Sequence, residues 1–412
     1  MAKEIDYECF LEDGYVITGT FQQGNSKNVS KHVIRGKSIR VLSSPYKIML
    51  STSTASFDGD RIAQELGQFS RNAIFVDNNQ NIVETCELES ETRGYLQELS
   101  MIVAPLNLSF EIRNSHRMVY NTITGKVTFG HESYAFWVME NSHSDVVKRT
   151  MLGSFSTLAL PPQSLLIQEK EHLLTPIKKA TAGRKYNLLF LRGSSCLVFH
   201  EILGHYFEVS NEHNSCPSPS ERISSYQLNA YNATTKYIQA PTFDDEGVAI
   251  KQTALIRNGE CVNLLTDTRS SGVNSNLTGN CRRSSFYYYP EPRMRNIIVM
   301  NNHDCIENLL DESLPTLVVK KAYQGLYNRK EGRVTLYVFA DSCIQSECNS
   351  CQKMILEIDD TISNFYNGIS ATFGSTYHIS LYCKSFSGPL YTEATSPELY
   401  LRNINIKRIW LL

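Results

Sequence analysis

Nowhere does an apolar run approach the ~20 residues that a membrane-spanning helix needs, and the opening stretch Met1 to Glu8 carries charge where a secretory signal would be apolar. A soluble, cytoplasmic chain without membrane association is expected. A basic excess is also missing: Lys+Arg 40 against Asp+Glu 42 leaves a formal net charge of -2. No cationic field exists to hold nucleic acid through counterion release, so no nucleic-acid partner is expected. Glycine (22) and proline (13) are too sparse for a collagen-like or low-complexity chain, and no internal repeat is found. What is there is 42% hydrophobic and 20% charged over 412 residues, a globular composition. That length suits about two to three domains. The 11 cysteines are odd in number and scattered, and no export signal accompanies them. Most are expected as reduced, buried, small apolar side chains.

Periodicity divides the chain. Residues 38–42 and 46–51 read as strands joined by Ser43-Ser44-Pro45. A helix follows Asp58-Gly59-Asp60 through Ile62, Leu66, Phe69 and Ile74, and a second runs from Glu91 to Val103. Alternation from Leu108 to Glu140 predicts antiparallel strands, and Ser164 to Leu174 a further helical run. The polar linker Thr181-Ala182-Gly183-Arg184-Lys185 marks a boundary. Beyond it come a buried strand from Tyr186 to Leu191, a Gly-Ser-Ser turn and an apolar helix from Cys196 to Glu208. Later come a hairpin at Asn258-Gly259 and β-rich runs at Thr316–Val319 and Arg333–Ala340. The expected class is α+β: an N-terminal α/β domain over 1–182 and a C-terminal β-rich, barrel-like domain over 183–412 that carries the apolar helix.

That helix contains His200-Glu201-Ile202-Leu203-Gly204-His205, an H-E-x-x-x-H pattern. In an ideal α-helix, residues five apart point about 140° apart and cannot share one metal ion. A local π-type bulge would bring the imidazoles together, and Gly204 would supply backbone freedom for it. Glu201, beside the first histidine, is suited to take a proton from a water at the metal. Two histidines in an apolar helix are otherwise ordinary core residues, and a zinc site needs a third protein ligand. Spacing alone leaves Glu208, His213, Glu246 and several cysteines open for that role.

Further on, Thr278-Gly279-Asn280-Cys281-Arg282-Arg283-Ser284-Ser285 through Pro290-Glu291-Pro292-Arg293-Met294-Arg295-Asn296 resembles the T-G-N-G-R-R-x-S and P-x-P-R-M-x-N signature of the TldD/PmbA metallopeptidases. Asp244-Asp245-Glu246-Gly247 and the Asn258-Gly259 hairpin are similar to that family's D-D-E-G segment and I-x-N-G hairpin. Leu197 to Glu208 resembles the L-x-H-E-x-x-G-H-x-x-E of its TldD-type subunit, which the PmbA/TldE-type partner lacks. Gly36 to Leu42 resembles a weaker N-terminal element, so the resemblance covers most of the chain, with a first domain shorter than usual.

The resemblance implies one zinc ion per chain, held by His200, His205 and a C-terminal cysteine whose best match is Cys383, with Glu201 catalytic. Cys383 lacks the family's following glycine, and Cys281 stands where the family has glycine. The implied activity is hydrolysis of unfolded or extended peptides, as in maturation or degradation of ribosomally made peptides. The implied partner is a PmbA/TldE-like paralogue in a heterodimer, or a second copy in a homodimer. Arg282, Arg283 and Arg293 are candidates for binding substrate, or for buried ion pairs. Cys343, Cys348 and Cys351, with Cys383, copy a two-iron ferredoxin spacing, though free thiols or an adventitious metal clip fit the surrounding residues better. Two rivals stand beside this reading. His-Glu-Ile-Leu-Gly-His resembles the H-E-L-L-G-H of dipeptidyl-peptidase III, whose downstream E-E-C-R-x-D helix is missing here. The other is a noncatalytic subunit that keeps zinc for folding.

Overall fold

A computed structural model describes residues 6–22, 25–42, 48–53, 90–123, 125–141, 148–154, 166–167, 170, 173–174, 179–209, 216–234, 241–270, 277–303, 306, 310–311, 313–341 and 352–412. The first part of the chain folds into strands β1 (Tyr7–Gln22), β2 (Asn25–Val41), β3 (Ile48–Ser53), β4 (Asn107–Asn121), β5 (Lys126–Asn141) and β6 (Lys148–Ser154). They form one six-stranded sheet in the order β3-β2-β1-β4-β5-β6, with every neighbour antiparallel. Alternation in β4 and β5 sends Leu108, Phe110, Trp137 and Met139 to one face, where Leu99 and Val103 of the helix Ser90–Val103 cover them. The expected hairpin is found, with Val41 opposite Ile48; its turn, the helix expected after Asp58 and much of Ser164 to Leu174 lie outside the described residues.

The rest of the chain forms β7 (Lys179–Ala182), β8 (Lys185–Phe190), β9 (Ala230–Ala233), β10 (Thr253–Arg257), β11 (Glu260–Cys261), β12 (Cys281–Arg282), β13 (Glu291–Pro292), β14 (Asn296–Val299), β15 (Thr316–Asn328), β16 (Arg333–Asp341), β17 (Lys353–Thr361), β18 (Ile369–Ser385) and β19 (Gly388–Leu411). All but the small β12–β13 pair belong to an eleven-stranded sheet organised on β19. That strand meets β17 through Ile406–Leu411 and β8 through Leu399–Asn405. The sheet therefore curls back on itself through different stretches of one bent strand, and the expected barrel-like form stops short of a closed barrel. β7, just before the expected boundary, pairs with the C-terminal end of β19 in this second sheet.

Inside the curl lies the apolar helix, Ser194–Phe199 continued by a π turn over His200–His205. Cys196, Val198, Phe199, Ile202, Leu203 and Phe207 are fully buried against Leu188, Leu255, Leu336 and Ile358. A helix with apolar side chains on all sides is stable only where sheet surrounds it. β15 pairs with β8 only through Thr316–Val319; beyond that, among the described strands, it pairs with β16 alone and runs past the helix.

Candidate metal centre

The helix starts abruptly: Arg192 (φ 54) and Gly193 (φ 82) both adopt left-handed backbone to turn the chain out of β8. Winding then loosens to π geometry over the interval His200–His205, which places residues five apart on one face. The two imidazole rings lie edge to face, with centroids 4.9 Å apart. Gly204 has a different part from the expected one. Its φ is not in the left-handed region, and what it provides is space, because a Cβ there would sit 2.1 Å from Sδ of Met294.

Cys383 reaches the same point from β18, where it pairs with Leu390. Its Sγ lies 3.1 Å from Nε2 of His205. One ligand atom each from His200, His205 and Cys383 falls within 4.8 Å of the others. Burial would push the Cys383 thiol up, but His205, Arg293 and hydrogen bonds from both histidines hold it well below the ordinary cysteine value. A thiolate with two imidazoles, and no fourth protein donor in the group among the described residues, is a soft donor set able to hold a metal ion with a position left open.

Glu208 organises this set from behind. Its Oε2 is 2.9 Å from Nδ1 of His205 and accepts from Nη2 of Arg329 at 3.0 Å. Its Oε1 accepts from Nε of Arg293 at 3.2 Å and the Met294 amide at 2.9 Å. Burial raises the carboxyl, but His205 and the arginines overcome this and keep Glu208 below the usual carboxylate range. Such a carboxylate fixes the imidazole's tautomer and points the other nitrogen at the centre. The signal was in the sequence, since Glu208 follows His205 by three residues, one helical turn on the same face. Arg293 joins the two sides of the site. It holds Glu208, and its Nη2 donates to Cys383 Sγ at 2.9 Å, while Ser385 and Ser387 take its other nitrogen.

Glu201 projects into the same space but is not one of the three clustered donors. It is 3% exposed, and its Oε2 has no hydrogen-bond partner. Burial raises its carboxyl above the ordinary value, offset in part by the histidines. It fits only because β15 has glycine opposite: a Cβ on Gly325 would lie 2.4 Å from Glu201 Oε1. In front of these residues opens a cavity of about 1320 Å³, walled by β15 and β18 and reached by Ser109, Val138 and Glu140 of the first sheet.

Arg282 and Arg283 do not line this cavity. Both are buried where the two sheets meet: Arg282 donates to the carbonyls of Met294 and Tyr391 at 2.8 Å, and Arg283 pairs with Glu8 and donates to Ser38 at 3.0 Å. Around them Glu12 takes Arg113 (2.5 Å), Arg117 (3.3 Å) and the Ser285 hydroxyl (2.7 Å), while Arg117 reaches Asp245 at 3.1 Å. The D-D-E-G and R-R-S-S segments thus lock onto the first sheet through buried charge pairs. Among the described residues a second cluster of potential donors, Glu246, Asp267 and Cys281, lies in this lattice. His213, Cys343, Cys348 and Cys351 lie outside the described residues.

Residues 183–408 match the family described as the PmbA/TldA metallopeptidase C-terminal domain. Over 137 residues the chain is 39% identical to the metalloprotease slr0863 of Synechocystis sp.; the match spans 31% of this chain and 30% of that protein. The whole fold is similar to that of TldE from Thermococcus kodakarensis, with TM-score 0.66 at 14% identity over 97% of this chain and 96% of that one. It is also similar to a Thermotoga maritima protein described as a candidate modulator of a DNA gyrase, with TM-score 0.67 at 12% identity over 98% and 96%. At these identities the two structures speak to the fold.

Proposed function

The chain belongs to the PmbA/TldD metallopeptidase family, and from that premise we propose that it is a zinc-dependent peptidase acting on unfolded or extended peptides. The observation that carries this reading is the convergence of His200, His205 and Cys383 beside the unpartnered Glu201 carboxylate in a large cavity. A zinc ion in this ligand set would supply Lewis acidity toward a peptide carbonyl. Glu201, destabilised as an anion by burial, would accept a proton from the attacking water and pass it to the departing amine. Glu208 would hold His205 in one orientation through both events, and Arg293 would keep Cys383 and Glu208 in register. Enclosure favours an extended chain over a folded one, because both sheets contribute walls. We further propose assembly with a PmbA/TldE-like paralogue, or with a second copy, in keeping with the H-E-x-x-x-H motif of one subunit type.

The test is direct. The full chain should bind one zinc per molecule, and Cys383→Ser should release it and end turnover of an unstructured peptide. Full zinc retention in that variant would remove Cys383 from the ligand set. Zinc bound with no turnover, alone or with a paralogue, would favour the noncatalytic subunit.

A further inference from the structure

Among the described residues the most exposed large apolar side chain is Phe386, at 77%. It stands in the two-residue turn Phe386-Ser387, between Ser385 and Gly388, which pair where β18 passes into β19. The backbone of this turn is held from several directions. Arg293 donates to the hydroxyl of Ser385 and, at 3.1 Å, to that of Ser387, and the two hydroxyls lie 2.9 Å apart. The Ser387 amide donates to Ser385 Oγ at 3.2 Å, while the Ser387 carbonyl accepts from the Ser284 amide at 2.7 Å. Gly388 (φ 84) closes the turn where no side chain fits, since a Cβ there would lie 2.5 Å from Cβ of Ser284. The ring is therefore carried out of the protein by a fixed support.

What the turn faces decides what can cover the ring. Phe386 lines the cavity of the metal centre, three residues beyond Cys383 on a strand whose register with β19 is regular from Tyr377 to Ser385. Three residues of extended chain span about 10 Å. Arg293 ties the two places together, because the same guanidinium donates to Cys383 Sγ. On the other wall Leu326, 60% exposed, follows the Gly325 that abuts Glu201. The centre itself is polar, and an exposed apolar side chain flanks it on each wall. Phe129 on β5 supplies the contrast: it is 71% exposed but outside the cavity lining.

Resting on the peptidase reading above, we propose that Phe386 is a specificity residue, whose ring packs against an apolar side chain of the bound peptide within about three residues of the bond presented to the metal centre. Fluorescein-labelled unstructured peptides, rich in Ser and carrying a single Leu at successive positions, are compared with the full-length protein by anisotropy for binding and by mass spectrometry for cleavage. Leu at the contact position should tighten binding about tenfold over Ser, the effect of partly burying two apolar side chains. Phe386→Ser should flatten this scan while metal content and circular dichroism stay as in the wild type. Phe386→Leu should keep the preferred position, and Phe386→Glu should transfer the preference to a Lys at that position. Phe129→Ser should leave the scan unchanged. A flat scan in the wild type, or a preference that survives Phe386→Ser, overturns the inference. So does an unchanged scan with loss of assembly in sedimentation, since the ring would then cover a subunit contact. Cleavage without apolar preference defeats the inference while leaving the peptidase reading intact, whereas Phe386-dependent binding without cleavage supports it and defeats that reading.

Discussion

Two sets of three candidate donors, His200-His205-Cys383 and Glu246-Asp267-Cys281, each gather their ligand atoms within 4.8 Å, and each contains a cysteine. Their surroundings send those cysteines opposite ways. Burial would raise Cys383, but His205 and Arg293 draw its thiol well below the ordinary value. Burial raises Cys281, and the charge of Glu246 raises it further. The second set is already served by a cation: Arg40 pairs with Glu246 and lies 3.9 Å from Asp267 Oδ2. Thr268 adds amide and hydroxyl donors to Glu246, each at 2.8 Å. Proximity of donors is thus a weak criterion for a metal site, and the decisive one is which charge they are arranged to meet. The first set also opens onto a cavity, while the second is sealed between two sheets.

The sharpest way to break this contrast is Glu201→Gln, which keeps size and shape. Peptide turnover should fall by about 10³- to 10⁴-fold while zinc content and folding persist, assessed by steady-state kinetics with metal analysis. Loss of zinc would instead make Glu201 a ligand. On the other side, Arg40→Met should leave Glu246 buried without its arginine and Glu8 with Arg283 alone, and cost about 3–5 kcal/mol of stability in denaturant titration. Zinc per folded molecule should not change.

Acid offers a third comparison. Burial favours the neutral form of Glu12, but Arg113 and Arg117 outweigh it and depress the carboxyl from 4.5 to about 2. A depressed folded value means stability present above pH 4.5 and lost as pH falls toward 2. Glu12→Gln should flatten that part of the stability-against-pH curve; an unchanged slope would mean Glu12 is not held as an anion in the folded protein. The smallest effect belongs to Cys281→Ser, which should leave metal stoichiometry untouched, and a lost equivalent of metal would turn the sealed cluster into a site.

Much of this was legible because it is local. The five-residue interval between His200 and His205 called for π winding, and the winding spans that interval. The Asn258-Gly259 hairpin and the alternation of β4 and β5 are equally short-range signals. Arg282 and Arg283 are the opposite case. Arg283 meets Glu8 across 275 residues, and Ser285 meets Glu12 across 273. On isolated strands those glutamates look like solvent-facing positions, and only the docking of two sheets converts them into buried partners. Gly325 is illegible in the sequence for a related reason: its importance is the approach of a side chain from 124 positions earlier, which nothing in β15 itself announces.

That glycine limits how the cavity can be re-engineered. β15 supplies a row of positions along the wall, from Lys320 to Asn328, that invite randomisation in search of new peptide preferences. One of them is not free. Any side chain at 325 enters the volume of the Glu201 carboxylate, so a library that varies the whole strand would be dominated by inactive clones for a reason unrelated to recognition. The same steric fact makes Gly325→Ala a means of displacing Glu201 while leaving its chemistry intact, and it marks Lys321 and Leu326 as positions where diversity can be explored around a fixed point.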